Sequence, residues 1–344
     1  MEKYSVFTEK SSGINPFYLP PYAPSLAPSA LLLSALRALP ALLLLCLLLP
    51  LEALAVGVEG ASLAAGAALR QGLARPLAWL LLRCLGLSVG LQEARKESLA
   101  LRPPPARAAG AEGSSASGEL LLVNACSYLD PLVLLAVKGA GLAQLSRAGT
   151  LVRVPLWRAL QRSFRAGGAV APAAPSAGGA DARALLATPW AALAVQPEGA
   201  PTNGRAFLSL GGEALGALGS ALAAAPLPGN CPTPRLRLLA LHYSSAGDAG
   251  RFSPCFLGQC SPWWHAACLL THAGSSAAAA HALPLGFDPL PSDFAPPARS
   301  AEWPLAISGG WEQLLRRFNV RSVGADAAQH ARFLAMALEH PKAA

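Results

Sequence analysis

ELLLVNACSYLDPLVLLAVK, residues 119–138, decides the fold. A short apolar run of strand length, 119–123, gives way to polar turn residues and then to an apolar helical run, 131–138. Asp130 stands at the junction, where a carboxylate can cap the helix or do more. Outward from this unit the same alternation repeats. Strands are expected at 169–171, 193–195, 236–243 and 277–285, and helices at 181–188, 262–271 and 326–339. Strands separated by helices imply an α/β fold, a mainly parallel sheet flanked by helices.

Upstream the chain changes character. Residues 30–51, ALLLSALRALPALLLLCLLLPL, supply about the 20 apolar residues needed to cross a bilayer. Arg37 and Pro40 are its interruptions, and Arg37 is close enough to the start to snorkel. A second apolar stretch, 73–91, carries Arg75, Pro76 and Arg83. It reads as a second span closing a hairpin, a re-entrant segment, or an amphipathic helix in the interface. Basic residues follow it, so insertion of both segments would leave both chain ends in the cytosol. The prolines of residues 1–29 break any helix, and that stretch lacks the charge and cleavage pattern of a signal peptide. The expected organisation is a cytosolic segment 1–29, a membrane-anchoring helix or hairpin 30–91, a Pro/Ala/Gly/Ser linker 92–118 and a folded domain 119–344.

Composition agrees with a membrane partner. Of 344 residues 53% are hydrophobic and 13% charged, the net charge is +8, and mean hydropathy is +0.39. The positive residues are scattered, without the aromatic interleaving of a nucleic-acid platform, so an anionic lipid surface is the better partner. Seven cysteines, an odd number with two inside apolar runs, do not form a secreted disulfide framework and fit a reducing, cytosol-facing setting.

The second informative stretch is 192–210, ALAVQPEGAPTNGRAFLSL. A short buried strand breaks into a Pro-, Gly- and Asn-rich turn bracketed by Glu198 and Arg205. Backbone N–H groups and a guanidinium at such a turn can meet a phosphate, although the same residues serve any surface turn.

Together, the strand-end Asn-x-x-Ser-x-x-Asp of 124–130 and the later PEGAPTNGR turn resemble the glycerolipid acyltransferase family typified by PlsC and the 1-acylglycerol-3-phosphate acyltransferases. The turn is similar to that of the eukaryotic branch, which includes enzymes of the endoplasmic reticulum and the lipid-droplet ancient ubiquitous protein. The opening MEKYSVFTEKSSGINPF resembles the fungal lysophosphatidic acid:oleoyl-CoA acyltransferases. The resemblance implies a glycerol-3-phosphate acyltransferase-like domain, acyl-CoA as co-substrate with no bound cofactor or metal, and a lysophospholipid acceptor. It implies a place on the endoplasmic reticulum membrane or lipid droplet, with the domain facing the cytosol and no role for nucleic acid. It assigns the reacting centre to Asp130, and acceptor binding to Glu198, Gly199 and Arg205.

One position departs from the pattern. The family's general base is a His five residues before the Asp, and that place holds Ala125. All six histidines follow residue 241, and His242 could reach the site only through the fold. Cys126 is a candidate base or acyl-accepting nucleophile if its thiolate is stabilised, and otherwise a small buried residue. The alternative function is therefore a relative that keeps the fold, has lost the chemistry, and acts as a lipid-droplet or trafficking scaffold.

Between the two motifs, Arg153, Arg158, Arg162 and Arg165 fall where the family binds glycerol phosphate. The last three share one helical face, either a phosphate clamp or a solvated face. Cys255, Cys260, His265 and Cys268 have zinc-capable chemistry, but Trp263 and Trp264 make the same stretch read as a packed or interfacial helix.

Overall fold

The computed structural model describes residues 2–8, 15–19, 27–93, 118–145, 151–165, 191–198, 200–203, 206–208, 218, 235–244, 253–258, 260–271, 276–284, 321–323 and 327–338. The strand and helix expected at 169–171 and 181–188 lie outside these residues, as do Gly199 and Arg205.

The helices are α1 (Pro28–Ala61), α2 (Leu63–Leu69), α3 (Arg75–Cys84), α4 (Asp130–Lys138), α5 (Leu156–Arg165), α6 (Pro262–Thr271) and α7 (Ala327–Leu338). The strands are β1 (Leu87–Glu93), β2 (Glu119–Val123), β3 (Gly141–Leu145), β4 (Leu151–Val154), β5 (Ala192–Val195), β6 (Ala206–Leu208), β7 (Arg235–Ser244), β8 (Ser276–Pro284) and β9 (Arg321–Val323). Seven strands form one mixed sheet in the order β1-β8-β7-β2-β5-β3-β4. The central block β7-β2-β5-β3 is parallel throughout, while β8 and β4 join it antiparallel. β6 and β9 make a separate parallel pair.

Burial explains why the central strands read as unbroken apolar runs. In β2, Leu121 and Val123 face the core built with α3 and α4, yet Leu120 and Leu122 on the other face are equally buried. β2 runs directly into α4, whose last turn ends at Gly139 in the left-handed conformation, φ 62°. The Gln71 amide donates to the Lys138 carbonyl there (2.8 Å) and closes the helix end.

One part of the expected anchor is corrected. Residues 73–91 form no second span. A π-helical turn (Arg70–Ala74) leads into α3, which stops at Gly86 (φ 81°), and residues 87–93 become the edge strand β1 paired to β8. The arginines in this stretch made it a poor span, and strand propensity in Leu-Ser-Val-Gly-Leu prevails once β8 offers an open edge.

α1 is the one helix among the described residues long and apolar enough to cross a membrane. It nevertheless lies against the domain, packing on α2, α3, α5 and α6. Its inner face carries Glu52 and Glu59, both buried, and these meet Arg70 and Arg153. Arg70 reaches Glu52 (3.0 Å) and Glu59 (2.6 Å), while Arg153 on β4 reaches Glu52 (3.0 Å) and also pairs with Glu59. Two acids and two guanidiniums balance, so the cluster is neutral as a whole. Removing one member leaves a charge buried without its partner. Glu59→Ala is therefore expected to lower the free energy of unfolding by about 3–5 kcal/mol. Glu59→Met combined with Arg153→Met should recover most of that loss. Equal destabilisation by the single and double variants, in denaturant titrations, would contradict the coupling.

Candidate active site

The two sequence motifs meet at the C-terminal ends of the adjacent parallel strands β2 and β5, the edge where open α/β sheets bind ligands. Asn124, one residue past β2, lets the main chain leave the sheet without stranding its neighbour. Its side-chain Oδ1 accepts the Leu241 N–H (2.6 Å) and its Nδ2 donates to the Leu241 carbonyl (3.0 Å). The carboxamide thus stands in for the next residue of the strand.

Asp130, in the first turn of α4, is fully buried and folds back over this loop. Its Oδ2 accepts the N–H groups of Cys126 (2.7 Å) and Ser127 (3.1 Å) and the Gln196 amide (3.1 Å). Its Oδ1 accepts the Tyr243 hydroxyl (2.7 Å). Burial pushes the carboxyl up to about 6, and the four donors pull against that shift.

Glu198 is the matching brace from the β5 side. Its Oε2 accepts the Ala125 N–H (2.7 Å) and its Oε1 the Leu208 N–H (3.0 Å). The Thr202 N–H returns to the Ala125 carbonyl (2.9 Å), so both backbone groups of Ala125 are held by the PEGAPTN turn. Burial pushes Glu198 up to about 8, with the nearby Asp130 charge adding to it. The turn is held from outside as well. The Asn203 amide donates to the carbonyls of Asn15 (2.9 Å) and Tyr18 (3.2 Å), and its N–H to Pro16 (2.9 Å).

A third layer comes from residues 253–258 and α6. The Phe256 N–H donates to the Cys126 carbonyl (3.0 Å) and the Ser127 hydroxyl to the Pro254 carbonyl (2.8 Å). His265 Nε2 lies 3.3 and 3.1 Å from the carbonyls of Ser253 and Cys255. Carbonyls only accept, so the proton sits on Nε2, and Nδ1 accepts the Tyr128 hydroxyl (3.1 Å). Burial lowers His265 to about 4 and keeps it neutral.

Raised carboxyl pKa values fix the sign of a pH effect. Folded Asp130 and Glu198 hold their protons to higher pH than the unfolded chain does. Their charging therefore costs stability as pH rises, through about 6 for Asp130 and about 8 for Glu198. The unfolding midpoint is expected to fall between pH 5 and 8.5 and to fall less steeply in Glu198→Gln. A wild-type midpoint that rises over that window would contradict this geometry.

The other candidate residues divide. The condition set for Cys126 is not met. Its thiol is fully buried, and the thiol of Cys255, burial and the nearby acids all push it well above its ordinary range. It is a neutral core group beside the Asn124 amide (3.1 Å). Arg153 is corrected too, because on β4, two strands from β5 in the sheet order, its guanidinium is paired with Glu52 and Glu59 of α1. The two acids in an apolar segment, seven residues apart and so on one helix face, were the signal for this pairing. Arg158 is half-buried with its guanidinium over the Trp157 ring (5.2 Å). The side chains of Arg162 and Arg165 lie outside the described residues. His242 belongs to the sheet face opposite Tyr243 by strand alternation, so it points away from Asp130. Among the described residues no three His, Cys, Asp or Glu side chains gather where they could hold a metal ion.

Three contributors escaped the sequence reading. Gln196 immediately follows β5, and Tyr243 shares the face of Leu239 and Leu241, so alternation could have found both. Nothing in residues 15–18 signals their place against the turn. No family model matches the chain, and neither a curated protein nor a solved structure matches it.

Proposed function

We propose that this chain is a membrane-bound O-acyltransferase that moves a fatty acyl group from acyl-CoA to a lysophospholipid, with lysophosphatidic acid as the acceptor. The observation that carries the reading is the docking of the two motifs. Glu198 holds Ala125, and Gln196 holds Asp130, across the ends of β2 and β5. The family resemblance calls for this juxtaposition, and surface turns with no common purpose would have no reason to share buried carboxylates. The apolar α1 supports a membrane setting, and the resemblance points to the cytosolic face of the endoplasmic reticulum or a lipid droplet.

In the reaction the acceptor hydroxyl oxygen bonds to the thioester carbonyl carbon, the carbon–sulfur bond breaks, and the hydroxyl proton ends on the departing CoA thiol. No side chain at position 125 can carry that proton. The rate rests on holding the two reactants together, an effect that reaches about 10⁵–10⁸ M in effective concentration. Asp130 and Glu198 are positioning residues that set the loop and turn on either side of the reactants. Gly199 and Arg205 are assigned to the acceptor phosphate.

A second reading is favoured by one observation. Ala125 offers no base, and Cys126 is locked as a neutral thiol. A chain with that centre suits a lipid-binding scaffold on a droplet or trafficking membrane. The purified chain in phospholipid vesicles, given labelled acyl-CoA and lysophosphatidic acid, separates the two. Phosphatidic acid above the protein-free rate is expected. Retention of lysophosphatidic acid without turnover would establish the scaffold.

A further inference from the structure

We propose that α1 lies along the membrane surface and does not cross it, forming with the Trp263–Trp264 edge of α6 a single seat on an anionic phospholipid leaflet. This deepens the membrane setting of the acyltransferase reading and is independent of whether the site turns over.

The helix is pinned to the domain near both ends. Arg37 Nη1 donates to the Leu270 carbonyl at the end of α6 (3.4 Å), and Glu59 pairs with Arg153 on β4. At 1.5 Å per residue these attachments are about 33 Å apart along the axis. That equals the roughly 30 Å hydrocarbon thickness of a bilayer. A crossing helix would have to carry Leu270 and Arg153 to opposite surfaces, which one sheet-bearing domain cannot do.

The faces of α1 agree with a helix lying flat. Leu31, Leu32, Leu36, Leu39, Leu42, Leu43, Leu47 and Leu54 are 48–65% exposed, and at 100° per residue they fall within an arc of about 160°. Ala41, Leu48, Glu52, Ala55 and Glu59 are buried and occupy the opposite side. All three charges on α1 are turned from the leucine row, two into the buried ion cluster and Arg37 onto α6.

α6 packs against α1 and presents Trp263 and Trp264, 77% and 48% exposed. Paired indoles beside an apolar row suit the headgroup boundary, where the ring is apolar and its N–H remains wet. The net charge of +8 selects an anionic leaflet. Because His265 of the same helix holds Tyr128 of the site loop (3.1 Å), the seat and the candidate site are joined by one rigid element.

The test uses the full chain in sealed vesicles of phosphatidylcholine and phosphatidylserine, with an epitope at the N-terminus. Lipids brominated near the headgroup end of the acyl chain are expected to quench tryptophan emission. Trp263→Phe/Trp264→Phe should remove at least a third of that quenching while leaving the unfolding midpoint unchanged. External protease should remove the N-terminal epitope and also cut the domain. An epitope protected while the domain is cut would show a crossing helix and overturn the proposal. So would quenching unchanged in the double variant, or self-association of the chain that buries the leucine row without lipid contact. None of these readouts depends on acyl transfer.

Discussion

Asp130→Asn is expected to lower the free energy of unfolding by about 3 kcal/mol or more, because four donors converge on one buried carboxylate. An asparagine offers a single oxygen to those donors and turns its own N–H2 group toward the others. The loop from Asn124 to Leu129 would lose the anchor that gathers it, and transfer activity would fall with it. Tyr243→Phe removes one donor only and is expected to cost about 1–2 kcal/mol, with most activity kept. Denaturant titration of both proteins, alongside acyl transfer at a temperature where each remains folded, checks the ordering. Equal stability of wild type and Asp130→Asn would show that the carboxylate does not organise this loop.

The second large effect is a gain. Ala125→His places an imidazole where the acyltransferases that the proposal rests on carry their base, in a loop already held by Glu198 and Asp130. General-base catalysis contributes roughly 100- to 10,000-fold, so turnover should rise by about 100-fold or more. The pH–rate profile should gain a limb where the imidazole loses its proton. Ala125→Phe supplies bulk without basicity and should show no gain. An Ala125→His protein that folds, binds acyl-CoA and turns over no faster would mean that the loop does not present position 125 to the reactants.

These two substitutions also mark what was legible in the sequence. β2 and β5 could be read because they are buried on both faces and appear as short apolar runs, and β7 was read as a longer apolar run, whereas β3, which alternates buried with half-buried residues, was not expected. Asp130 and Glu198 stood out as acids beside glycine, proline and a helix start. Their actual work could not be read, since nothing local shows that Glu198 would accept the N–H of a residue more than seventy positions earlier. The edge strands were lost for a related reason. β1 was hidden in an apolar stretch, and β4 carries the arginine that pairs with α1. At α1 the length and composition seen in the sequence are those of a span, whereas the direction of Glu52 and Glu59 is visible only once Arg70 and Arg153 are in place.

The most direct test of the central proposal is a single measurement on the unmodified protein. Purified chain in phospholipid vesicles is given labelled oleoyl-CoA with lysophosphatidic acid, and phosphatidic acid is quantified against a matched sample of heat-unfolded chain. Time-dependent product, with one free CoA thiol released for each acyl group transferred, is expected. No product above the unfolded control, under conditions where the chain is folded and membrane-bound, would contradict acyl transfer and leave the scaffold in its place.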